Sequence, residues 1–153
     1  MGTELRAYRC FLRAHARVTR CVESDLIGEQ QLTLAAYEVL DCLAAQRENG
    51  LRMTDLADAV LLSRSGVTRL VARLERLGLV RRRRTSSDGR GVRAQITEHG
   101  EQRLHEASPT HLGAVMRYFA AALGDGDVSA LDQCCERLSA EGVPPPPGQR
   151  AQA

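Results

Sequence analysis

The sequence predicts a mainly α-helical fold with one small β-hairpin. Over most of the 153-residue chain, apolar residues recur at intervals of three and four, which is the period of amphipathic helices. Residues 79–84 instead predict a strand, and residues 92–96 alternate with a period of two, which predicts a second strand after the turn at residues 86–91. Ten arginines and two acidic residues lie within residues 63–93, so this hairpin and the helix before it concentrate positive charge.

Composition argues against several protein classes. No apolar run approaches the roughly twenty residues of a membrane span. Residues 1–13 lack the apolar stretch of a secretory signal, so we expect a cytoplasmic protein with no membrane association. Five cysteines without a C-x-x-C pair favour reduced thiols over a disulfide framework or a zinc module. We find no phosphate loop, nucleophile elbow or paired catalytic carboxylates, and therefore expect neither an enzyme nor a bound metal or cofactor.

Residues 1–32 are predicted to form an N-terminal dimerisation helix. Apolar side chains follow a three-four spacing from Leu5 to Leu26, and a second, weakly polar side runs through Cys10 and Cys21. A helix with two such sides near the start of a small chain often packs on a second partner, for which another subunit is a candidate.

Residues 33–97 are predicted to form a compact lobe of three helices and the hairpin. Thr33, Thr54 and Ser63 each precede a helical run, and their side-chain oxygens can accept from the free N–H groups of a first turn. The helix after Ser63 has an apolar stripe along one side and ends at Gly78. The hairpin completes the lobe.

Residues 98–142 are predicted to form two C-terminal dimerisation helices. Thr97 is the expected cap of the first, which reaches Leu123, and Asp127 is the expected cap of the second. The remaining residues, 143–153, contain four consecutive prolines and are predicted to be a disordered tail.

The predicted order of elements is a short helix, a tight turn, a second helix and a hairpin. This order is that of a winged helix-turn-helix, in which the second helix lies in the DNA major groove. Arginine can hold guanine through a bidentate contact, and serine or threonine can reach a base edge or a phosphate. Arg90, between two glycines at the hairpin tip, suits a narrow minor groove, and Asp88 could hold a neighbouring arginine in place. The predicted DNA contacts are Ser63, Arg64, Ser65, Thr68, Arg69, Arg73, Arg82, Arg84, Asp88, Arg90 and Arg93. Two alternatives stay open: arginines that only solvate a surface, and a winged helix that binds a protein.

At these residues the sequence resembles a known family. Residues 51–100 contain LLSRSGVTRLVARLERLGLVRRRRTSSDGRGVR and resemble the DNA-binding lobe of the MarR (multiple antibiotic resistance regulator) family, whose D-x-R wing pattern falls on Asp88 and Arg90. In the order of its helices the resemblance extends over about residues 6–140. It implies a homodimer in which the first, fifth and sixth helices interlock. It also implies a pseudo-palindromic operator in double-stranded DNA and repression that a small ligand relieves.

The resemblance further implies a site for a small aromatic or phenolic effector. The candidates for its lining are Tyr8, His15, Tyr37, Met116 and Phe119, and a place in the core is the alternative for each. Some relatives sense peroxides through a cysteine of the first helix. Cys10 lies near that position, with arginines within helical reach that favour a thiolate, although the tyrosines usual beside such a cysteine are not matched. A redox-sensing regulator of the same fold is therefore the alternative function.

Overall fold

Helices dominate the structure, with one small antiparallel sheet, which confirms the predicted fold class. A computed structural model describes residues 2–84 and 92–139, so most of the hairpin turn and the predicted tail lie outside the described residues. The helices of the described residues are α1 (Gly2–Gln30), α2 (Leu34–Ala45), α3 (Met53–Ala59), α4 (Arg64–Arg76), α5 (Glu98–Tyr118) and α6 (Asp125–Ser139). The strands are β1 (Leu51–Arg52), β2 (Val80–Arg84) and β3 (Val92–Ile96).

Three of the predicted helix caps are confirmed. Thr33, Ser63 and Thr97 each accept a hydrogen bond from the backbone N–H three residues further on, at 3.2, 3.1 and 3.0 Å. Each bond pairs one of the N–H groups that a first turn leaves free. The predicted end of α5 at Leu123 is wrong, because the helix stops at Tyr118 and a short 3-10 turn follows.

The predicted caps at Thr54 and Asp127 are also wrong. α3 begins at Met53, directly after β1, and Arg52 is the extended residue before it. Pairing of β1 with the sheet fixes the chain up to Arg52, so Thr54 falls inside the first turn and its hydroxyl donates to Asp55. α6 begins two residues before Asp127, whose carboxylate accepts from the backbone N–H just ahead of the helix.

The sheet has three strands, with β3 between β1 and β2. The predicted hairpin is confirmed, and its register pairs Val80 with Ile96. β1 is an addition that the sequence did not indicate, because a strand of two residues is too short to show a period; it pairs Leu51 with Ala94. Among the residues that the structure describes, β2 is therefore an edge strand, and no strand pairs with its outer N–H groups.

One core joins the second half of α1 to α2, α4 and the sheet. Among its fully buried side chains are Leu26, Leu40, Leu43, Leu56 and Leu74. α4 contributes residues at helical spacing, Val67, Val71 and Leu74, all at most 1% exposed. Because this stripe anchors one side of α4, the opposite side is held in solvent.

Two parts of the chain stay outside that core. Residues 2–17 of α1 are all exposed, and none of the described side chains of α6 is buried. The large apolar residues left between 42% and 62% exposed on α1, α5 and α6 are Leu5, Tyr8, Phe11, Leu12, Ile27, Leu112, Met116, Val128 and Leu138. None of the described helices is both long enough and apolar enough to cross a bilayer.

Candidate nucleic-acid interface

The solvent side of α4 carries a row of polar and basic side chains. Ser65, Arg69 and Arg73 are exposed and four residues apart, so they lie one above another on the helix, with Arg64 and Thr68 beside them. Among the residues that the structure describes, no guanidinium of these arginines has an ion pair or hydrogen bond. The positive charge of this face is therefore uncompensated and open to an anionic partner.

The hydroxyl groups at the start of α4 differ in how much they are already engaged. Ser63 accepts from the Gly66 N–H and lies 3.3 Å from the Ser65 hydroxyl, so its oxygen mainly serves the cap. Thr68 donates to the Arg64 carbonyl at 2.8 Å. Its oxygen can still accept a hydrogen bond, and Ser65 and Thr68 are the hydroxyls best placed to meet a ligand.

The four arginines of β2 divide between its two faces. Alternation places Arg82 and Arg84 on one face and Arg81 and Arg83 on the other. Arg84 is exposed and, within the described residues, has neither an ion pair nor a hydrogen bond through its side chain. Arg84 is thus the residue of its face that is free to bind an anion.

Arg82 is bound by Glu75, in the last turn of α4. Arg82 Nε donates to Glu75 Oε2 at 2.7 Å, Nη2 lies 2.6 Å from the same oxygen, and the Arg82 backbone N–H donates to Oε1 at 3.1 Å. These side-chain and backbone hydrogen bonds lower the pKa of Glu75. Sequence reasoning missed this contact; its signal is that Glu75 is the one acidic residue of α4.

Arg93, also a predicted DNA contact, is engaged inside the lobe. Its Nη1 donates to the Gly50 carbonyl at 3.0 Å and to the Asn49 carbonyl at 3.4 Å. Gly50 has φ +61°, and a Cβ there would lie 2.3 Å from the Ala94 oxygen, so the turn packs tightly against β3. Arg93 therefore holds the turn between α2 and β1 to the sheet.

Arg81 and Arg83 face a cleft of about 530 Å³ on the far side of the sheet from α4. Arg81 Nε donates to Gln95 Oε1 at 3.3 Å, and the buried Gln95 amide donates to the Glu48 carbonyl at 2.7 Å. Arg47 and Glu101 form an ion pair of 2.8 Å at the cleft wall. Sequence reasoning did not single out these residues, which are distant along the chain.

The remaining predicted DNA contacts, Asp88 and Arg90, lie outside the described residues. Their roles stay predictions from the sequence.

The five effector candidates differ in how exposed their side chains are, and their common role stays a prediction. Tyr37 is buried and stacks on His111, whereas Tyr8, His15 and Met116 are exposed and Phe119 is half-buried. Cys10 is an exposed free thiol, and Arg13 Nη2 lies 3.8 Å from its sulfur.

Comparison with known proteins places this interface in a family context. The sequence model of the MarR family matches residues 30–91, from the end of α1 into the hairpin turn. The transcriptional repressor MprA of Escherichia coli (strain K12) is 26% identical over 115 residues, which are 75% of this chain and 65% of MprA. The chain thus spans just under two thirds of the length of this curated relative.

Solved structures match over nearly the whole chain. AbsC, a MarR family transcriptional regulator from Streptomyces coelicolor, is 34% identical with a TM-score of 0.79, over 90% of this chain and 93% of AbsC. Sco3205, a MarR family transcriptional regulator from the same organism, was solved in complex with DNA. It is 30% identical with a TM-score of 0.84, over 95% of this chain and 94% of Sco3205. Identity at this level, over nearly the full length of both structures, shows that the chain belongs to the MarR family of transcriptional regulators.

Proposed function

We propose that this protein is a sequence-specific DNA-binding repressor of transcription that acts in the cytoplasm as a homodimer on a pseudo-palindromic operator. The observation that carries the proposal is the uncompensated row of Ser65, Arg69 and Arg73 on α4. The names of its relatives support it, because MprA is a transcriptional repressor and Sco3205 was solved with DNA.

In this proposal α4 enters the major groove and the hairpin reaches outward from it. Arg69 reads a guanine, while Ser65 and Thr68 reach base edges or phosphates at the groove entrance. Arg84, exposed and unpaired within the described residues, binds a phosphate, which positions the lobe without selecting a sequence. Arg90 reaches the minor groove and Asp88 orients an arginine beside it.

Two lobes are required to read a two-fold operator, and the exposed apolar residues support a second copy. Leu5, Tyr8, Phe11 and Leu12 of α1 are each at least 45% exposed, as are Leu112 and Met116 of α5. Val128 and Leu138 of α6 are 42% and 59% exposed. Several large apolar side chains left exposed on helices in this way are typical of a protein interface. We propose that these helices interlock with those of a partner subunit.

Release of DNA by a small aromatic or phenolic ligand is part of the proposal. Tyr37 and His111 stack between α2 and α5, and the half-buried Phe119 lies at the end of α5. A partner subunit over these helices would enclose aromatic surface next to the DNA-binding lobe, where a ligand could change the spacing of the two lobes.

One observation favours redox release as a second candidate. Cys10 is exposed, so an oxidant can reach its sulfur, and the Arg13 guanidinium lies beside it. In this version peroxide, rather than a ligand, weakens DNA binding, and Cys10→Ser removes the response. A winged helix that binds a protein partner remains the alternative to DNA binding itself.

An electrophoretic shift with the DNA upstream of the protein's own gene, titrated with salt, tests the proposal. We expect binding that weakens steeply with salt, since each neutralised phosphate releases condensed counterions. Duplexes enriched from a random pool extend the test to operators elsewhere. If no duplex is enriched and binding to every DNA is insensitive to salt, the protein is not a DNA-binding repressor. Phenolic acids and peroxide, added to the preformed complex, separate the two modes of release.

A further inference from the structure

Glu75 is the one carboxylate on a helix that otherwise carries four arginines. It lies in the last turn of α4, where the unpaired carbonyls of the helix make a negative side chain unfavourable. At this position a basic or neutral side chain would suit both the helix and an approaching phosphate. The reason for a carboxylate at this position therefore lies in its contacts outside α4.

Both oxygens of Glu75 are used by one residue of the hairpin. Arg82 donates through Nε to Oε2 and through its backbone N–H to Oε1, and Nη2 adds an ion pair of 2.6 Å. Because Arg82 lies on the edge strand, this N–H points away from β3, and no strand of the described residues pairs with it. The carboxylate thus takes the place of a neighbouring strand and joins backbone as well as side chain to α4.

The same contact neutralises the charge of Arg82, which then contributes little to the positive surface proposed to bind DNA. Its guanidinium is oriented by Glu75, and the two formal charges cancel locally. Arg84, two residues nearer the tip on the same strand face, has no such partner within the described residues. Two arginines that look equivalent in the sequence therefore have different surroundings.

We propose that Glu75 is a positioning residue, whose contact with Arg82 locks the hairpin to the end of the recognition helix so that Arg69 and Arg84 meet one duplex at a fixed separation. This inference rests on the proposed DNA-binding function. A locked hairpin does not have to be ordered when DNA binds, which preserves affinity.

The rival interpretation is that Arg82 leaves Glu75 and binds a phosphate. The two interpretations predict opposite signs for Glu75→Gln. A positioning role predicts an operator affinity about fivefold weaker, near the upper end for a partly exposed ion pair. A phosphate role predicts tighter binding and a steeper salt dependence, because the variant frees a cation.

Arg82→Ala and the variant that combines it with Glu75→Gln complete a double-mutant cycle. If the contact positions the hairpin, each single variant and the double variant lose about the same affinity, because all three break one interaction. The salt slope of Arg82→Ala then stays that of the wild type. A slope reduced by about 0.9 for each half-site, or about 1.8 for the dimer, would assign Arg82 to phosphate and overturn the proposal.

Glu48→Gln is the matched control, because it removes the same charge from the same lobe and its carboxylate has no partner among the described residues. It should leave affinity unchanged or slightly raised. The assays use a duplex enriched from a random pool by the wild-type protein. Failure to enrich any duplex would count against the proposed function, and amide exchange without DNA would then test the Glu75–Arg82 contact by itself.

Amide hydrogen exchange in the absence of DNA tests the lock directly. The Arg82 amide should exchange slowly in the wild type and faster in Glu75→Gln, while the Val67 and Val71 amides of α4 keep their protection. Retained protection in α4 also shows that the variant folds. An Arg82 amide that exchanges equally fast in both proteins would overturn the proposed lock, whatever the DNA result.

Discussion

Tyr37 and His111 stack with their ring centroids 4.2 Å apart and their planes at 21°, which ties α2 to α5. Tyr37 is 8% exposed, and its hydroxyl donates to Ser108 Oγ at 3.4 Å. Burial lowers the pKa of His111, and the carboxylate of Asp41 opposes that effect without cancelling it. The stacked imidazole is therefore neutral at neutral pH.

Stability should depend on pH through His111. Since the pKa of the folded state is lowered, the folded protein binds fewer protons than the unfolded chain just below the ordinary value of 6.5. The contribution is fully present above that value and is lost as pH falls toward the lowered pKa. Urea unfolding at about pH 7.5 and about pH 5.5 measures it. His111→Phe keeps an aromatic ring without a proton site and should lose less stability on acidification; equal losses would contradict the assignment.

Arg69→Ala should relax sequence preference at one base position in each half-site. A bidentate arginine–guanine contact contributes about 1–3 kcal/mol of discrimination. Binding to a set of singly substituted operators measures the loss. Arg20→Ala is the control: it removes an exposed arginine of α1, outside the lobe, and should change neither operator affinity nor sequence preference. Unchanged affinity and preference in Arg69→Ala would show that α4 is not the recognition helix.

Arg84→Ala should affect DNA binding and Arg93→Ala should affect stability, although both positions were predicted as DNA contacts. Arg84→Ala is expected to weaken binding to all sequences alike and to lower the salt slope by about 0.9 for each half-site, or about 1.8 for the dimer. Arg93→Ala should instead destabilise the fold by about 1 kcal/mol, because the hydrogen bonds to the Gly50 and Asn49 carbonyls are lost. Salt titrations and urea unfolding of both variants separate the two effects. A salt slope lowered equally in both would place Arg93 on DNA.

Sedimentation equilibrium at micromolar concentration should give the mass of a dimer. Leu12→Arg together with Leu138→Arg should shift it toward a monomer, since charges would be placed on apolar surface that the partner covers. Leu61→Arg is the matched control, because Leu61 is 90% exposed on the DNA-binding lobe and outside these helices. A monomer mass for the wild-type protein would contradict the proposed homodimer and, with it, an operator of two half-sites.

Arg90→Ala should weaken operator binding substantially, and more with A·T-rich than with G·C-rich flanking DNA. The reason is that a narrow A·T-rich minor groove has the more negative potential. Asp88→Ala is the comparison variant. If Arg90 only pairs with Asp88 to stiffen the hairpin, both variants lose similar affinity on either flank, and the minor-groove role is refuted.

Local chemistry explains what could be predicted from the sequence. The caps at Ser63 and Thr97 depend on hydrogen bonds that span three residues, so a side-chain type and its spacing are sufficient to find them. The apolar stripe of α4 is equally local, and it fixes which side of the helix carries Arg69 and Arg73. The order of helices and hairpin then indicated the family that the comparisons support.

Contacts between distant segments decided the rest. Periodicity predicts which residues of β2 share a face. It does not predict that the side chain of Arg82 binds Glu75, while the side chain of Arg84 has no ion pair or hydrogen bond within the described residues. β1 exists because its two residues pair with β3, some forty residues away, and this pairing also moved the start of α3 ahead of Thr54. Arg93 is engaged with the turn at Gly50 for the same reason. The sequence by itself determined the order of the helices, the caps at Thr33, Ser63 and Thr97 and the charge of α4, since those depend on near neighbours. Only the tertiary structure decided which arginines remain free, because that depends on how separate elements pack.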